Sequence, residues 1–322
     1  MQKLLYLYEE RHPIELRDFV RAKIRLEFLN FDEASYSDSK QNLIEKFKLA
    51  DAVLMAPGRF LEDEVHKAGE KIKLIQLWSS GYDKINLNAC NKFNQKVANN
   101  GGANAQSVAE HTILLMLSAA RRLTEMHNRV INANWTGNGH GLNLQSLFGK
   151  RLGLIGIGNI GSKVAEIASA FKMEVQYFDP FITLKSNKNF LKVDLRELVQ
   201  NSDFISLHTH AVKNSQPILS QAEFDIMKRG INIINTSRAE LIDYMALQKS
   251  LKSGLVRYYA SDVFLKEPTT GHEEEFAFSN TTFTPHIAGS NIETYEIALE
   301  NCIANIKRAF ENKEILWEVS KF

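Results

Sequence analysis

Three short segments in the second half of this 322-residue chain carry side chains suited to polar chemistry on a small anion. Ile233-Ile234-Asn235-Thr236-Ser237-Arg238 is an apolar run that turns polar and ends in an arginine. Ser261-Asp262-Val263-Phe264-Leu265-Lys266-Glu267-Pro268 sets two acids five positions apart, and Thr284-Pro285-His286-Ile287-Ala288-Gly289 brings a histidine. A guanidinium fits a carboxylate through two parallel N–H bonds, which makes Arg238 the candidate anchor. An imidazole exchanges protons near neutral pH, which makes His286 the candidate acid–base group. Glu267 can bind the second ring nitrogen, fix the tautomer and favour the charged ring. An anion anchor and a proton donor, joined by a hydride donor, are what reduction of a 2-keto acid requires. A lone Arg or His after a strand is ordinarily structural; it is the constellation that carries the reading.

The hydride donor has its own signature. Gly156-Ile157-Gly158-Asn159-Ile160-Gly161 reads G-x-G-x-x-G, after the strand-like Leu152-Gly153-Leu154-Ile155 and before a helical stretch. Gly156 permits the tight turn, Gly158 lets backbone approach a pyrophosphate, and Gly161 allows close helix–strand packing. Asp179 ends the next strand, 23 positions after Gly156. A carboxylate there can accept hydrogen bonds from the adenosine ribose and would repel a 2′-phosphate. No Arg or Lys follows before Lys185. These features predict NAD in preference to NADP.

With these motifs in place, the chain resembles the D-isomer-specific 2-hydroxyacid dehydrogenase family. The resemblance runs from Asp51-Ala52-Val53-Leu54 to the last helix, in order and approximate spacing. Its pieces are Ser80-Gly81-Tyr82-Asp83-Lys84-Ile85, Asn104-Ala105-Gln106-Ser107-Val108-Ala109-Glu110, the glycine loop, Ser206-Leu207-His208, and the segments around Arg238, Glu267 and His286. The resemblance implies that Arg238, Glu267 and His286 form the catalytic trio. It implies that the backbone of Ser80, Gly81 and Tyr82 binds the substrate carboxylate. It assigns Asn159, Ile160, Pro180, His208, Thr236 and Asp262 to the cofactor, Asp262 at its nicotinamide end. It further implies a homodimer built on the cofactor domains. Thr209-His210 stands where relatives carry an apolar residue and then Pro, and Ala239 replaces a frequent Gly. Met55-Ala56-Pro57-Gly58 lacks the arginines that hold a substrate phosphate in 3-phosphoglycerate-specific relatives, and Arg59 is displaced along the loop. Glyoxylate or hydroxypyruvate is the expected substrate class. Pro285 before the histidine departs from the Gln-His pairing of formate-type relatives.

The elements that must position these residues follow from alternating strand-like and helical stretches, which indicate α/β folding on mostly parallel sheets. The family resemblance implies the expected fold class, two doubly wound parallel-sheet domains with a Rossmann-like cofactor domain inserted into a flavodoxin-like substrate domain. Strands are expected at Leu4–Tyr8, Ile24–Leu29, Asp51–Met55, Leu74–Trp78 and Lys96–Asn99, then at Arg151–Ile155, Val175–Phe178, Phe204–Leu207, Ile231–Asn235, Tyr258–Ser261 and Thr281–Phe283. A helix is expected over Ser162–Phe171. The turn-forming cluster Asn99–Asn104 marks the crossing between domains, and with the C-terminal helix returning as the resemblance implies, residues 1–100 with 290–322 are the expected substrate domain and 101–289 the NAD-binding domain. The amphipathic last helix, from Ser290, fits either domain by pattern alone. Ser107-x-x-Glu110 reads as a capping box opening a helix that is apolar on nearly every face from Val108 to Leu123, as an intersubunit helix or a core helix would be.

Bulk properties narrow the partners. The formal charge is +1, with 44% hydrophobic and 24% charged residues, which gives no global field for nucleic acid or anionic membrane. The longest apolar run, Thr112–Ala120, is too short to span a bilayer, and the first ten residues turn acidic too soon for a signal peptide. Cys90 and Cys302 suit free thiols in a reducing cytoplasm. No His, Cys or acid spacing suggests a metal; His208 and His210 alternate on a strand end. His111 and the other histidines read as structural or solvated. The rival reading is an NAD(H)-binding regulatory, corepressor-like scaffold of the same fold; such a scaffold need not keep Arg238, Glu267 and His286 together.

Overall fold

The computed structural model describes residues 2–56, 60–135, 137–183, 190–211 and 215–320. In chain order its elements are β1 (Leu4–Tyr8), α1 (Ile14–Glu27), β2 (Phe31–Ser35), α2 (Lys40–Leu49), β3 (Ala52–Met55), α3 (Asp63–Ala68), β4 (Leu74–Leu77), α4 (Leu87–Lys92) and β5 (Lys96–Ala98). The helices α5 (Ala105–Arg121) and α6 (Leu123–Ile131) follow. Then come β6 (Arg151–Ile155), α7 (Asn159–Ala170), β7 (Glu174–Phe178), β8 (Phe190–Lys192), α8 (Leu195–Asn201), β9 (Phe204–Leu207), α9 (Gln221–Ile226) and β10 (Ile231–Asn235). The chain closes with α10 (Tyr244–Lys252), β11 (Val256–Ser261), β12 (Thr281–Phe283) and α11 (Ile292–Phe310). It divides into two compact units, Met1–Asn104 with Ser290–Phe322, and Ala105–Gly289. The first crossing thus falls at Asn104, four residues beyond the Asn100 boundary read from the sequence.

The first unit is a five-stranded sheet in the order β2-β1-β3-β4-β5, every pair parallel. A parallel sheet needs both faces covered. Leu5, Leu7, Val53, Ile75 and Val97 pack with Leu43, Phe47 and Val65 on one face. Leu4, Tyr6, Leu54 and Leu74 pack with Val20 and Ile24 of α1 and Leu299, Cys302, Ile303 and Ile306 of α11 on the other. The last helix therefore belongs to the first unit. Each fully buried Leu or Ile contributes roughly 1.5–3 kcal/mol.

One expectation about this unit is corrected, and one strand is added. Ile24–Leu29 was expected to be a strand because Ile24, Leu26 and Phe28 alternate, yet Ile24 to Glu27 end α1. Val20, Ile24 and Phe28, four apart, are the buried set, while Leu26 is 81% exposed. The helical period prevails because it brings Val20, Ile24 and Phe28 onto one face that packs against the sheet. The unexpected strand is β2, whose charged residues suit a sheet edge. There Asp32 accepts from Lys3 (3.1 Å) and Lys46 (2.6 Å), and Glu33 accepts from Arg21 (2.8 Å).

The second unit is a seven-stranded parallel sheet ordered β12-β11-β10-β9-β6-β7-β8. The chain winds from β6 outward through β7 and β8, then returns to add β9 on the other side of β6. The switch point lies between β6 and β9, where open α/β sheets bind ligands at the carboxyl ends. Helix α5 begins at Ala105, so Ser107 lies in its first turn and is not its cap. Its Oγ donates instead to the Ala288 carbonyl, 2.7 Å away. Helix α5 buries Ala109, Ile113, Leu115, Met116 and Ala120 in its own unit, beside Leu152, Val164 and Ala165. Of the core and intersubunit readings of this helix, the burial of these side chains within one chain supports the core one.

Candidate active site

The carboxyl ends of adjacent strands present the singled-out residues in strand order: His286 after β12, Asp262 and Glu267 after β11, Arg238 after β10, His208 after β9, the glycine loop after β6 and Asp179 after β7. Pro57, Gly58, Arg59 and Lys185 lie outside the described residues.

His286 Nδ1–H donates to Glu267 Oε2 at 2.7 Å. An ionised carboxylate only accepts, so this bond places hydrogen on Nδ1 and leaves Nε2 outside the pair. The second Glu267 oxygen accepts the Phe264 backbone N–H at 3.0 Å, which fixes the carboxylate plane. The His286 side chain is 48% exposed. Its backbone is left-handed, with φ 56. That conformation is disfavoured for any residue with a Cβ and persists where neighbours hold it.

Asp262 supplies much of that hold. Its side chain is buried, and its Oδ1 accepts the Thr284 hydroxyl (2.5 Å) and the Ile287 N–H (2.9 Å). Its Oδ2 accepts the Ala288 N–H at 2.8 Å. Asp262 thus ties down the loop carrying His286, a task that its assignment to the cofactor did not include. Arg238 is half-buried, and its turn is closed by the buried Asn235, whose Nδ2 donates to the Arg238 carbonyl (2.9 Å) and whose Oδ1 accepts the Ser237 N–H (3.0 Å). Ser237 Oγ donates to the Thr209 carbonyl, so the unusual Thr209-His210 stretch is bonded to the arginine turn through its backbone. Ala239 is buried in a short 3-10 turn that extends to Leu241.

The glycine loop fits a dinucleotide. Gly156 has φ +96, and a Cβ there would lie 2.5 Å from the His208 carbonyl oxygen. A Cβ at Gly161 would lie 2.3 Å from the Gly156 carbonyl oxygen. Above Gly158 there is nothing within 4 Å, and this residue starts α7 with no side-chain cap. The opening therefore faces uncapped helix N–H groups, the arrangement that receives a pyrophosphate. Asn159 is exposed, Ile160 half-buried and Pro180 exposed around it.

Asp179 closes the loop from below. Its Oδ2 accepts the Ile157 N–H (3.0 Å), and its Oδ1 accepts those of Phe181 and Ile182 (2.9 Å each). Burial pushes this carboxyl up, but the three backbone N–H bonds and the nearby Lys192 charge outweigh it, leaving its pKa below the usual range. His208 Nε2 pairs with the Ser206 hydroxyl at 2.8 Å, and burial pushes the imidazole down to about 3. It is therefore neutral at working pH.

In the first unit, the loop after β4 is built by asparagines. Ser80 Oγ lies 2.7 Å from Asn100 Oδ1 and 2.5 Å from Asn104 Oδ1, and Asn99 Nδ2 donates to the Ser80 carbonyl at 3.0 Å. Ser79 Oγ donates to the Gly81 carbonyl at 2.8 Å. The loop's acceptors are engaged, while among the described residues the Ser80 and Gly81 N–H groups have no partner. The cluster read only as a turn former thus also shapes Ser80–Tyr82. Among the described residues no three His, Cys, Asp or Glu side chains are grouped to hold a metal, and no helix is long and apolar enough to cross a membrane.

Two wound parallel sheets, a glycine loop at the switch point and a His–Glu pair on the same sheet edge define a nicotinamide-dependent dehydrogenase. Residues 113–288 match the family described as D-isomer specific 2-hydroxyacid dehydrogenase, NAD binding domain. A glyoxylate reductase of Korarchaeum cryptofilum is 30% identical over 278 residues, 83% of this chain and 82% of the relative. A hydroxypyruvate reductase of Thermotoga maritima is 34% identical over 256 residues, 79% and 83% respectively. The structure of D-2-hydroxyisocaproate dehydrogenase superposes with a TM-score of 0.87 at 20% identity, covering 99% of this chain and 100% of that one, and shares the fold. The chain belongs to the D-isomer specific 2-hydroxyacid dehydrogenase family. It is an NAD-dependent enzyme that transfers hydride between the cofactor and C2 of a 2-keto or 2-hydroxy acid; the scaffold reading is not favoured.

Proposed function

We propose that this enzyme reduces small 2-keto acids of the glyoxylate and hydroxypyruvate class with NADH, using Arg238, Glu267 and His286. The observation that carries this reading is the 2.7 Å bond between His286 Nδ1 and Glu267 Oε2, which commits one ring nitrogen and leaves the other for the substrate. The names of the Korarchaeum and Thermotoga relatives support the substrate class. A dinucleotide held at its pyrophosphate by the glycine loop would supply or accept the hydride at C2. Arg238 binds the substrate carboxylate through its fork. By the family resemblance, the backbone N–H groups of Ser80, Gly81 and Tyr82 are the first unit's donors for a substrate carboxylate. His286 Nε2–H protonates the ketone oxygen as charge develops there, and recovers the proton in the oxidative direction. Glu267 stabilises the ring while it is charged.

Gly156, Gly158, Asn159, Ile160 and Gly161 hold the pyrophosphate, Asp179 and Pro180 flank the adenosine ribose, and His208, Thr236 and Asp262 face the nicotinamide end. Asp262 Oδ2 accepts one protein N–H, and a carboxylate oxygen can accept two. That capacity supports a bond to the carboxamide. The ionised Asp179 favours NAD over NADP. Residues 1–104 with 290–322 act as the substrate domain.

The assembly is a homodimer. Its support comes from α6, which buries none of its residues, and from the exposed Leu123, Val130, Ile131, Trp135, Leu142 and Phe148 that follow one another along the same stretch. Exposed apolar runs of this kind mark protein interfaces. Buried, unpaired Cys90 and Cys302 support a reducing, cytoplasmic setting. The test is loss of NADH absorbance with a panel of 2-keto acids, run in parallel with NADPH. No turnover of any small 2-keto acid would overturn the proposal.

A further inference from the structure

We infer that His111, on α5, is a positioning residue for the loop that carries His286. The inference rests on the reading of His286 as the proton carrier. His111 Nε2 lies 2.9 Å from Thr284 Oγ1, and Thr284 Oγ1 lies 2.5 Å from Asp262 Oδ1. A threonine hydroxyl has one proton, and an ionised carboxylate can only accept. Thr284 therefore donates to Asp262 and must accept from His111, which places hydrogen on His111 Nε2. The direct separation of His111 Nε2 and Asp262 Oδ1, 3.8 Å, is too long for a bond, so the hydroxyl is the link.

The relay ends on the catalytic backbone. Asp262 accepts the N–H groups of Ile287 and Ala288, the two residues after His286. The His286 N–H itself donates to the Thr284 carbonyl at 3.0 Å. One turn before His111 on the same helix, Ser107 donates to the Ala288 carbonyl at 2.7 Å. Helix α5 thus holds the loop at both ends, through Thr284 and through Ala288, with the left-handed His286 between them. The next residue extends the pattern to the arginine turn. Thr112 spends its proton on the Val108 carbonyl (2.8 Å), so it accepts the Thr236 hydroxyl at 2.9 Å, two residues before Arg238.

A residue that only fills space is replaced by any side chain of similar size. A residue that donates a bond is replaced only by another donor at the same place. The amide nitrogen of glutamine can occupy the position of histidine Nε2, and serine keeps the hydroxyl that valine lacks. His111→Ala and Thr284→Val should each lower kcat by about tenfold or more, the scale on which small displacements of a catalytic group act. The keto-acid KM and the NADH dissociation constant should stay within about threefold of wild type. His111→Gln and Thr284→Ser should restore most of the lost kcat.

The measurement is steady-state kinetics on the full-length enzyme, with NADH binding followed by fluorescence and a thermal melt for each variant. His286→Ala serves as the reference. Loss of kcat in His111→Ala with recovery in His111→Gln supports the inference. If His111→Ala does not fold, the Thr284→Val and Thr284→Ser pair decides by the same pattern. If His286→Ala is inactive while His111→Ala and Thr284→Val turn over at the wild-type rate, the positioning role is wrong and the His286 reading stands. If the glutamine and serine variants lose as much kcat as the alanine and valine ones while still binding NADH, the donor argument is wrong. If His286→Ala keeps normal turnover, the reading of His286 falls and takes this inference with it.

Discussion

Glu267 holds His286 with one oxygen and its own loop with the other, at 2.7 Å to His286 Nδ1 and 3.0 Å to the Phe264 N–H. Reduction requires the charged ring and oxidation the neutral one. Reductive activity should therefore fall with rising pH, and oxidative activity with falling pH. Glu267→Gln keeps an acceptor for the Nδ1–H but removes its charge, so turnover should fall in both directions with part of the activity retained. His286→Ala should lower kcat by about 10² to 10⁴, the range for a general acid–base group. Wild-type turnover in Glu267→Gln would count against the pairing.

His208 gives the contrasting case. Burial pushes it down to about 3, so it stays neutral throughout the working pH range. His208→Gln should leave both pH limbs in place and change cofactor affinity instead. Movement of either limb would reopen the choice of proton carrier.

Arg238→Lys keeps the charge but not the fork, and Arg238→Ala keeps neither. Each should raise the keto-acid KM and slow turnover, the alanine variant losing roughly ten- to hundredfold in kcat/KM, the scale of a charge-assisted hydrogen bond. Binding of NADH alone, measured by fluorescence, should change little.

Asp179 is bonded to the glycine loop and is the residue proposed to select the cofactor. Asp179→Ala should narrow the preference for NADH over NADPH. It should also weaken NADH itself, because the Ile157 N–H loses its acceptor. Comparing kcat/KM for the two cofactors checks the first effect, and equal use of both by the wild type would refute the role in selectivity.

The stretch from Leu123 to Phe148 should bury its apolar side chains against a second copy. Val130→Asp combined with Ile131→Asp should shift light scattering from dimer to monomer. A wild-type protein that scatters as an active monomer at micromolar concentration would refute the assembly.

Most strands were legible because a parallel sheet covered on both faces needs unbroken apolar runs. Leu4–Tyr8, Arg151–Ile155, Phe204–Leu207, Ile231–Asn235 and Thr281–Phe283 have the bounds expected of them. The edges were not legible. β2 carries Asp32 and Glu33, and β8 is only Phe190–Lys192, so neither has the composition of a core strand. At the active site, residue types pointed to Arg238, Glu267 and His286, but their supports were invisible. Asp262 looked like a cofactor contact and His111 like a structural or solvated histidine with no partner named, because a bond between residues separated by 173 positions leaves no local pattern. Ser107 shows the same limit, since its spacing to Glu110 imitated a cap while its hydroxyl reaches Ala288.

The first unit is not continuous in the chain: it breaks at Asn104 and resumes at Ser290. During synthesis, the sheet surface formed by Leu4, Tyr6, Leu54 and Leu74 must wait for Leu299, Cys302, Ile303 and Ile306 to emerge. All of Ala105–Gly289 leaves the ribosome first and can complete its own sheet in the interval. The nascent enzyme therefore acquires its cofactor-binding half before its amino-terminal half is sealed. A chain stopped at Gly289 should show protease protection across the second unit, with the amino-terminal segment still cleavable.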